Sequence, residues 1–187
     1  MMKKLSRTIC LATLAIFVLS LHAEEKKERK TYTEPPPMKI DKDKKYIATI
    51  DTSKGKIVCE LFPKEAPITV NSFVFLAREK FFDGLTFHRV EEWVIQGGDP
   101  EGTGRGGPGY QIKNEGENNT HTHVVGTLAM ARSQDPDSAG SQFYILKKDA
   151  HWLDKKYTIF GQVTEGMDVV NKIEVGDEIK SVKIEEK

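Results

Sequence analysis

The chain has 187 residues, of which 38% are hydrophobic and 30% are charged, a composition that suits one globular domain with appended segments. Its 28 basic and 28 acidic residues balance, and loss of three basic residues (Lys3, Lys4 and Arg7) with a cleaved leader would leave a net charge of −3. Proteins whose main partner is nucleic acid usually carry a clear basic excess, so this composition argues against that class.

The first 23 residues predict a secretory signal peptide. Three basic residues precede an apolar run from Ile9 to Leu21, and Ala23 follows as a cleavage site. The run is short for a membrane span. We therefore expect cleavage after residue 23, export to the periplasm or the medium, and no stable membrane insertion afterwards. An uncleaved anchor is the alternative, because Leu21 is a poor residue three places before the cut.

The cysteine content predicts a domain that is stable without a disulfide. Cleavage of the leader removes Cys10 and leaves Cys59 alone, so the exported domain depends on its hydrophobic core. Cys59 lies in an alternating strand pattern, which indicates a small core residue and not a reactive thiol.

Residues 24–45 predict a charged, flexible tether. The segment is mostly charged and contains Pro35, Pro36 and Pro37, so it offers too little apolar surface to offset its ordering entropy. The prolines favour a locally extended chain. The folded domain is then expected to occupy residues 46–187.

The domain begins with a pattern that predicts two strands joined at Ser53-Lys54-Gly55. Apolar residues alternate with polar ones on both sides of this turn. Pro67 then suits the first turn of a helix, whose apolar face includes Val70, Phe73 and Leu76.

Short strands predominate after this helix, with Gly-rich turns between them. They are expected around Thr86–Val90, Val94–Gly97, Thr127–Ala131, Gln142–Leu146, Thr158–Val163 and Ile179–Ile184, with a short helix near Met167–Glu174. Many short strands with few helices predict a mainly β protein, a closed antiparallel barrel with helices covering its ends.

Three tempting motifs do not carry chemistry. The stretch GTGRGG, residues 102–107, matches a dinucleotide pattern, but proline follows at once instead of a helix. His121 and His123 would share one face of a strand without a third metal ligand, so we expect no metal site. Ser141 lacks the G-x-S-x-G elbow of a hydrolase.

Six segments remain, and in their order and spacing they resemble the cyclophilin family of peptidyl-prolyl cis/trans isomerases. They are FHRV, WVIQGGDP, GTGRGGPGY, LAMARS, GSQFYI and HWLDKKYTIFGQV. The resemblance covers residues 46 to 185, and MARSQDPDSAGSQFY is similar to the bacterial branch, here an exported member. It implies a closed eight-stranded antiparallel barrel capped by two α-helices, with the substrate groove on the outer face of the barrel.

The resemblance also implies the site residues. Arg89 matches the catalytic arginine, and Gln96 matches the glutamine that orients this arginine and binds the substrate backbone. The walls of the proline pocket are implied at Trp93, Val94, Tyr144 and Leu153. The chain before proline would be held by Ala131, Arg132 and Gln142, and the positions beside the groove are Trp152 and Tyr157. No cofactor is implied.

The chain departs from the family pattern at the pocket. The connection between Arg89 and Gln96 is one residue shorter than usual and lacks its proline, and Trp93 replaces a phenylalanine. Tyr144 also replaces a phenylalanine, and its hydroxyl needs a partner or water.

The sequence thus predicts a monomeric isomerase that accelerates X-Pro rotation in exported or envelope proteins. Its partners would be proline-containing polypeptides, and Trp152 is the residue type that in this family accompanies cyclosporin binding. The alternative is a chaperone module that binds proline peptides with weak turnover, which the altered connection and Tyr144 motivate.

Overall fold

The computed structural model describes residues 29–187. The predicted signal peptide and the first residues of the predicted tether, 24–28, lie outside the described residues. Within residues 29–187, no helix is both long and apolar enough to cross a membrane.

Nine strands form one antiparallel sheet. The alternation that predicted the first two is seen in their burial, since every second residue of β1 is buried. In chain order the strands are β1 Tyr46–Thr52, β2 Gly55–Leu61, β3 Leu85–Thr86, β4 Arg89–Val90, β5 Val94–Gly97, β6 Thr127–Met130, β7 Phe143–Leu146, β8 Ile159–Glu165 and β9 Glu178–Glu186.

The sheet curls into a half-barrel whose two edge strands are consecutive in the chain. Its order is β3-β9-β1-β2-β8-β6-β7-β5-β4, so β3 and β4 lie at opposite edges although only Phe87 and His88 separate them. Phe87 continues the first edge, because its N–H donates to the carbonyl of Asp177 at 2.9 Å. The chain itself therefore connects the two edges.

The mainly β, antiparallel class with two helices is confirmed, with two corrections. The count is nine strands and not eight, because the strand predicted around Thr86–Val90 is divided into β3 and β4. The hydrogen-bonded ladder is not closed either, because β3 pairs with β9 whereas β4 pairs with β5. The break turns Arg89 onto the second edge.

Two helices cover the sheet: α1, Pro67–Arg78, packs on β9, and α2, Met167–Lys172, packs on β2. Pro67 begins α1, as expected from its fixed φ. The carboxylate of Glu115 accepts hydrogen bonds from the N–H groups of Ile68 and Thr69 at 3.0 and 2.9 Å. A distant side chain therefore satisfies the free N–H groups of the first turn.

The core lies between α1 and the concave face of the sheet. Four aromatic rings meet there, with centroid distances between 5.0 and 5.7 Å: Phe73, Phe82, Phe143 and Phe160. Cys59 is buried in the same cluster, and burial raises the pKa of its thiol to about 12. It is a core residue, as the alternation predicted.

Residues 29–45, here called the strap, lie against the domain. Asn71 of α1 is almost fully buried, and its Oδ1 accepts the N–H groups of Lys39 and Ile40 at 2.9 and 3.3 Å. Its Nδ2 donates to the carbonyls of Pro36 and Pro37. One side-chain amide thus holds the backbone on both sides of Met38 to the helix.

The N-terminal part of the strap contacts the end of the glycine-rich loop, at Pro108 and Gly109. The N–H of Tyr32 donates to the carbonyl of Pro108 at 2.8 Å, and its ring packs edge-on against Phe75 at 5.0 Å. Gly109 has φ +96°, and a side chain there would collide with the carbonyl of Tyr32. This docked arrangement differs from the flexible tether that composition predicted, because composition does not reveal backbone groups that a distant Asn71 can satisfy.

Candidate active site

A short hairpin positions Arg89 and Gln96. These residues are partners across β4 and β5, as are Val90 and Ile95. Nη1 of Arg89 donates to Oε1 of Gln96 at 3.1 Å. The arginine side chain is 42% exposed, so its charge stays at the surface while its orientation is restrained from the neighbouring strand.

A series of side-chain amides continues from this arginine. Nε2 of Gln96 donates to Oε1 of Gln142 at 2.9 Å, and Nε2 of Gln142 donates to the carbonyl of Gly106 at 2.9 Å. Each amide uses its oxygen toward Arg89 and its nitrogen away from it. These hydrogen bonds connect the hairpin, the residue before β7 (Gln142) and the glycine-rich loop to one another.

A cavity of about 210 Å³ lies beside the guanidinium. It is bounded by strand residues, by a short 3₁₀ turn, His151–Leu153, and by the segment that follows this turn. All of its lining residues are among those predicted from the sequence, namely Arg89, Trp93, Val94, Gln96, Ala131, Arg132, Tyr144, Leu153 and Tyr157.

The floor of this cavity is rigid because it is part of the sheet. Tyr144 on β7 is paired with Gln96 on one side and with Ala129 on the other. Val94 and Tyr144 are both buried and belong to an apolar cluster with Ile159 and Leu146. An apolar ring would therefore find a preformed surface here.

The two remaining predicted residues lie next to this cavity. Trp152, in the 3₁₀ turn, is 58% exposed, and its ring meets that of Trp93 edge-on at 5.5 Å. Gln142 lines a second cavity of about 410 Å³, which shares Gln96, Ala131 and Arg132 with the first. The two cavities thus form one elongated groove.

The second cavity is bounded by the glycine-rich loop. The buried carboxylate of Asp99 accepts the N–H groups of Glu101 and Thr103 at 2.8 and 2.9 Å. A side chain at Gly106 would collide with this carboxylate. Burial raises the pKa of Asp99, but hydrogen bonds from the backbone of Glu101, Gly104 and Gly106 outweigh it and hold the pKa below its ordinary value. The glycines therefore let a loop wrap an aspartate, and the loop leads into no helix.

Arg132 adds a second cation to the groove. Its guanidinium carbon lies 4.4 Å from the centroid of the Tyr157 ring, and its Nε and Nη2 donate to the carbonyl of Lys156 at 3.3 and 3.2 Å. Stacking and hydrogen bonds fix the plane of this side chain. The groove therefore carries two cations: Arg89, which lines the first cavity, and Arg132, which lines both.

The hydroxyl of Tyr144 meets His123, a contact that sequence reasoning missed. Nε2 of His123 lies 2.9 Å from this hydroxyl. His123 and His121 do not share a strand face as expected: residues 121–126 are not a strand, His123 is fully buried, and His121 stacks on Phe62 at 4.0 Å. Among residues 29–187, no group of three or more His, Cys, Asp and Glu side chains is arranged to hold a metal ion.

Glu91 was also missed, although the sequence contained its signal. It lies two residues after Arg89, and side chains two apart on an extended chain point to the same side. Trp93 lies in the turn that follows and reaches the same carboxylate. Its Oε1 accepts from Nε of Arg89 at 2.7 Å, and its Oε2 accepts from Nε1 of Trp93 at 2.7 Å. The shortened connection thus places a carboxylate between two predicted site residues.

The site is thus a groove on a curled antiparallel sheet, with an apolar floor and an arginine held at its rim. Residues 47–187 match the family described as cyclophilin type peptidyl-prolyl cis-trans isomerase/CLD. Since this match covers most of the sequence, the chain belongs to the cyclophilin-type peptidyl-prolyl cis/trans isomerases and is an enzyme of that class.

Relatives and solved structures agree with this assignment. The chain is 49% identical to a peptidyl-prolyl cis-trans isomerase of Helicobacter pylori over 138 residues, which is 72% of this chain and 84% of that protein. It is 50% identical to peptidyl-prolyl cis-trans isomerase B of Bacillus subtilis over 132 residues, 70% of this chain and 92% of that protein.

The fold is similar to that of a Cryptosporidium parvum cyclophilin type peptidyl-prolyl cis-trans isomerase. The TM-score is 0.70 at 27% identity, covering 76% of this chain and 98% of that one. A second crystal structure of that protein, in the presence of the dipeptide Ala-Pro, has a TM-score of 0.68 at 28% identity and covers 74% of this chain and 98% of that one.

Proposed function

We propose that this isomerase acts on X-Pro bonds of exported or envelope proteins during their folding, with Arg89 as its catalytic group. One observation carries the assignment of Arg89. Its guanidinium stands at the rim of the 210 Å³ cavity and is held there by Gln96 at 3.1 Å. A solvated strand arginine would need neither a cavity nor a partner of this kind.

The chemistry requires a positioned cation and no nucleophile. Rotation about a peptide bond breaks its amide resonance, and the barrier is about 18–20 kcal/mol. In the twisted state the proline nitrogen becomes pyramidal and gains a lone pair. A cationic donor aimed at this lone pair stabilises the twisted state more than either planar state, and each ~1.4 kcal/mol so gained accelerates the reaction ten-fold.

The other groove residues would bind and orient the substrate. Gln96 would orient Arg89 and contact the substrate backbone. The proline ring would be held by Trp93, Val94, Tyr144 and Leu153, the chain before proline by Ala131, Arg132 and Gln142, and the groove would be bordered by Trp152 and Tyr157. All of these residues except Trp152 line the two adjoining cavities, and Trp152 packs on Trp93 beside them, which supports these roles.

Export is proposed from the first 23 residues. Their basic start and apolar run support a signal peptide, and similarity to two bacterial isomerases supports a bacterial member. We expect the mature protein to begin at Glu24 in a periplasmic or extracellular fraction. Mass spectrometry of the native protein tests this, and an intact Met1 or a lipid on Cys10 would contradict it.

We further propose a monomer that binds cyclosporin. Within residues 29–187, the large hydrophobic side chains that remain exposed are few and scattered along the sequence: Met38, Val124, Val125, Trp152 and Val175. This supports a monomer, because large contiguous apolar patches mark interfaces. Exposure of the Trp152 indole supports access for the drug, and sedimentation and drug titration test the two proposals.

Exchange NMR on an Ala-Pro peptide, with catalytic amounts of the domain, tests the proposed mechanism. We expect the wild type to accelerate exchange and Arg89→Ala to lose most of this activity while remaining folded, because a rim charge contributes little to stability. Arg89→Lys should restore little, because a point charge cannot reproduce the planar fork. Full turnover by folded Arg89→Ala would overturn the mechanism, and binding without acceleration by the wild type would favour the chaperone alternative.

A further inference from the structure

One carboxylate touches both the proposed catalytic cation and a wall of the proposed proline pocket. Glu91 accepts from Nε of Arg89 through one oxygen and from Nε1 of Trp93 through the other, both at 2.7 Å. The guanidinium carbon of Arg89 also lies 5.4 Å from the centroid of the Trp93 ring. Arg89 of β4 and two side chains of the β4–β5 connection therefore form one bonded group.

The backbone of Glu91 is itself fixed. Its N–H donates to the carbonyl of Val94 at 2.8 Å, which closes the tight connection between β4 and β5. Nζ of Lys147 donates to the carbonyl of Glu91 at 2.9 Å. The backbone that carries this carboxylate is thus anchored to the hairpin and to the segment after β7, and its place does not depend on Arg89.

Two anchors define the direction of the arginine fork. Glu91 takes the Nε hydrogen and Gln96 takes one hydrogen of Nη1. A guanidinium has five N–H donors in a fixed plane. The two hydrogens of Nη2 and the second hydrogen of Nη1 therefore stay available, and the plane that carries them cannot turn without breaking an anchor.

The negative charge has an opposing effect that must be weighed. A carboxylate beside a cation weakens the field at the reacting nitrogen. However, the side chains of Arg89 and Glu91 are 42% and 44% exposed, so water screens their charges strongly. The orientation of a planar fork is not screened, and misplacement of a catalytic group can reduce rates severely. Orientation is therefore the larger effect.

We propose that Glu91 is a positioning residue, which is itself held by Trp93 and keeps the donor face of Arg89 in the geometry that the twisted X-Pro bond requires. This inference rests on the proposed catalytic role of Arg89. It assigns a use to the shortened connection, which supplies a carboxylate between Arg89 and Trp93.

The matched control is the neighbouring glutamate. Glu92 forms its ion pair with Lys148 and accepts no hydrogen bond from the arginine or the tryptophan. Glu91→Gln keeps the shape of the side chain and removes its charge, and Glu92→Gln removes an equal charge one residue away. We expect Glu91→Gln to lower kcat/KM for an Ala-Pro peptide by roughly five- to ten-fold, mostly through kcat. Glu92→Gln should equal the wild type.

Two further measurements separate positioning from a structural role. In ¹⁵N–¹H spectra, Glu91→Gln should shift the Nε–H signal of Arg89 and the indole N–H signal of Trp93 while the backbone spectrum of β6 and β8 stays unchanged. Introduced into the Arg89→Ala background, Glu91→Gln should cause no further loss of the residual rate, because it acts through the arginine.

The outcomes distinguish this inference from the proposed function. If Arg89→Ala is inactive and Glu91→Gln is as active as the wild type, the positioning role is wrong and the catalytic role of Arg89 stands. An equal loss in both backgrounds also overturns positioning, because the effect would not pass through Arg89. If Arg89→Ala keeps wild-type turnover, the catalytic role falls and the positioning role falls with it.

Discussion

The hydroxyl of Tyr144 lies 2.9 Å from Nε2 of His123, a fully buried imidazole whose Nδ1 lies 2.9 Å from Oδ1 of Asp154. An ionised carboxylate can only accept, so Nδ1 carries the ring proton and Nε2 accepts from the hydroxyl. Burial raises the pKa of Asp154, but bonds from the backbone and ring of His123 outweigh it and hold the pKa below its ordinary value. The hydroxyl that Tyr144 brings to the pocket floor therefore has a buried hydrogen-bond partner, His123.

Tyr144→Phe should lower stability and spare turnover. The ring that lines the cavity remains, but Nε2 of His123 loses the one donor that residues 29–187 offer it and stays buried. Leaving a buried polar atom unsatisfied costs about 1–3 kcal/mol. Urea unfolding of the variant and the wild type measures this cost, and peptide exchange measures turnover. Equal stability would show that the hydroxyl–imidazole bond contributes nothing to the fold.

Stability should fall as the pH falls below about 6.5. Burial lowers the pKa of His123, an effect that Asp154 opposes and His151 reinforces. The unfolded chain then binds a proton at a pH where the folded protein does not, so the free energy of unfolding decreases from the unfolded pKa down to the folded one. Asp154, with a lowered pKa, contributes stability that is lost only at a more acidic pH.

His88 contributes to the same pH range and provides the control. Burial lowers its pKa, with Asp99 opposing and Arg89 reinforcing the shift. Urea unfolding between about pH 5.5 and 7.5 should show a slope in the wild type that His88→Gln reduces and His123→Gln reduces separately. A flat profile in the wild type would mean that neither ring is held neutral by the fold.

Asn71→Ala should release the strap. The four backbone groups held by this amide lose their partner, and we expect a loss of about 1–3 kcal/mol in stability. Hydrogen exchange should show that the amides of Lys39 and Ile40 lose protection while those of β1 keep it. Met38→Ala, at a half-exposed position, is the control and should change neither. Unprotected amides in the wild type would indicate a solvated linker.

Trp152→Phe should weaken cyclosporin binding more than it slows a small peptide. The exposed indole keeps its N–H free for a ligand, and loss of this donor with part of the packing should cost about 1–2 kcal/mol, roughly ten-fold in affinity. Calorimetric titration of both proteins measures the difference. If the wild type shows no binding at tens of micromolar drug, weaker than roughly −6 kcal/mol, the shortened connection has remodelled the pocket.

Local patterns were enough to predict most of the fold. Alternation indicated β1 and β2, and Pro67 marked the first turn of α1 within one residue. The groove was predicted from the resemblance to the family instead. Its walls come from strands that are far apart in sequence and meet only in the folded protein. The strand break at Phe87 and His88 was not predictable, since both residues fit an extended pattern.

The contacts that were missed share a physical cause. The strap carries few apolar residues, so composition assigned it to solvent, yet its backbone groups bind Asn71 more than 30 residues away. His123 lies in a segment without periodicity, and its partners Tyr144 and Asp154 are distant in sequence. Hydrogen-bond partners of this kind leave no periodic signal in the sequence. Glu91 is different, because strand alternation alone would have placed its side chain beside that of Arg89.

The place of β9 constrains how this protein can be made. The last strand in sequence lies between β3 and β1, and it pairs with β1 along nearly the whole length of both. A chain leaving the ribosome therefore lacks the strand between β3 and β1 until residues 178–186 emerge, and β1 keeps one open edge until then. Such long-range pairing slows folding. This isomerase can thus complete its own sheet only after β9 has been synthesised.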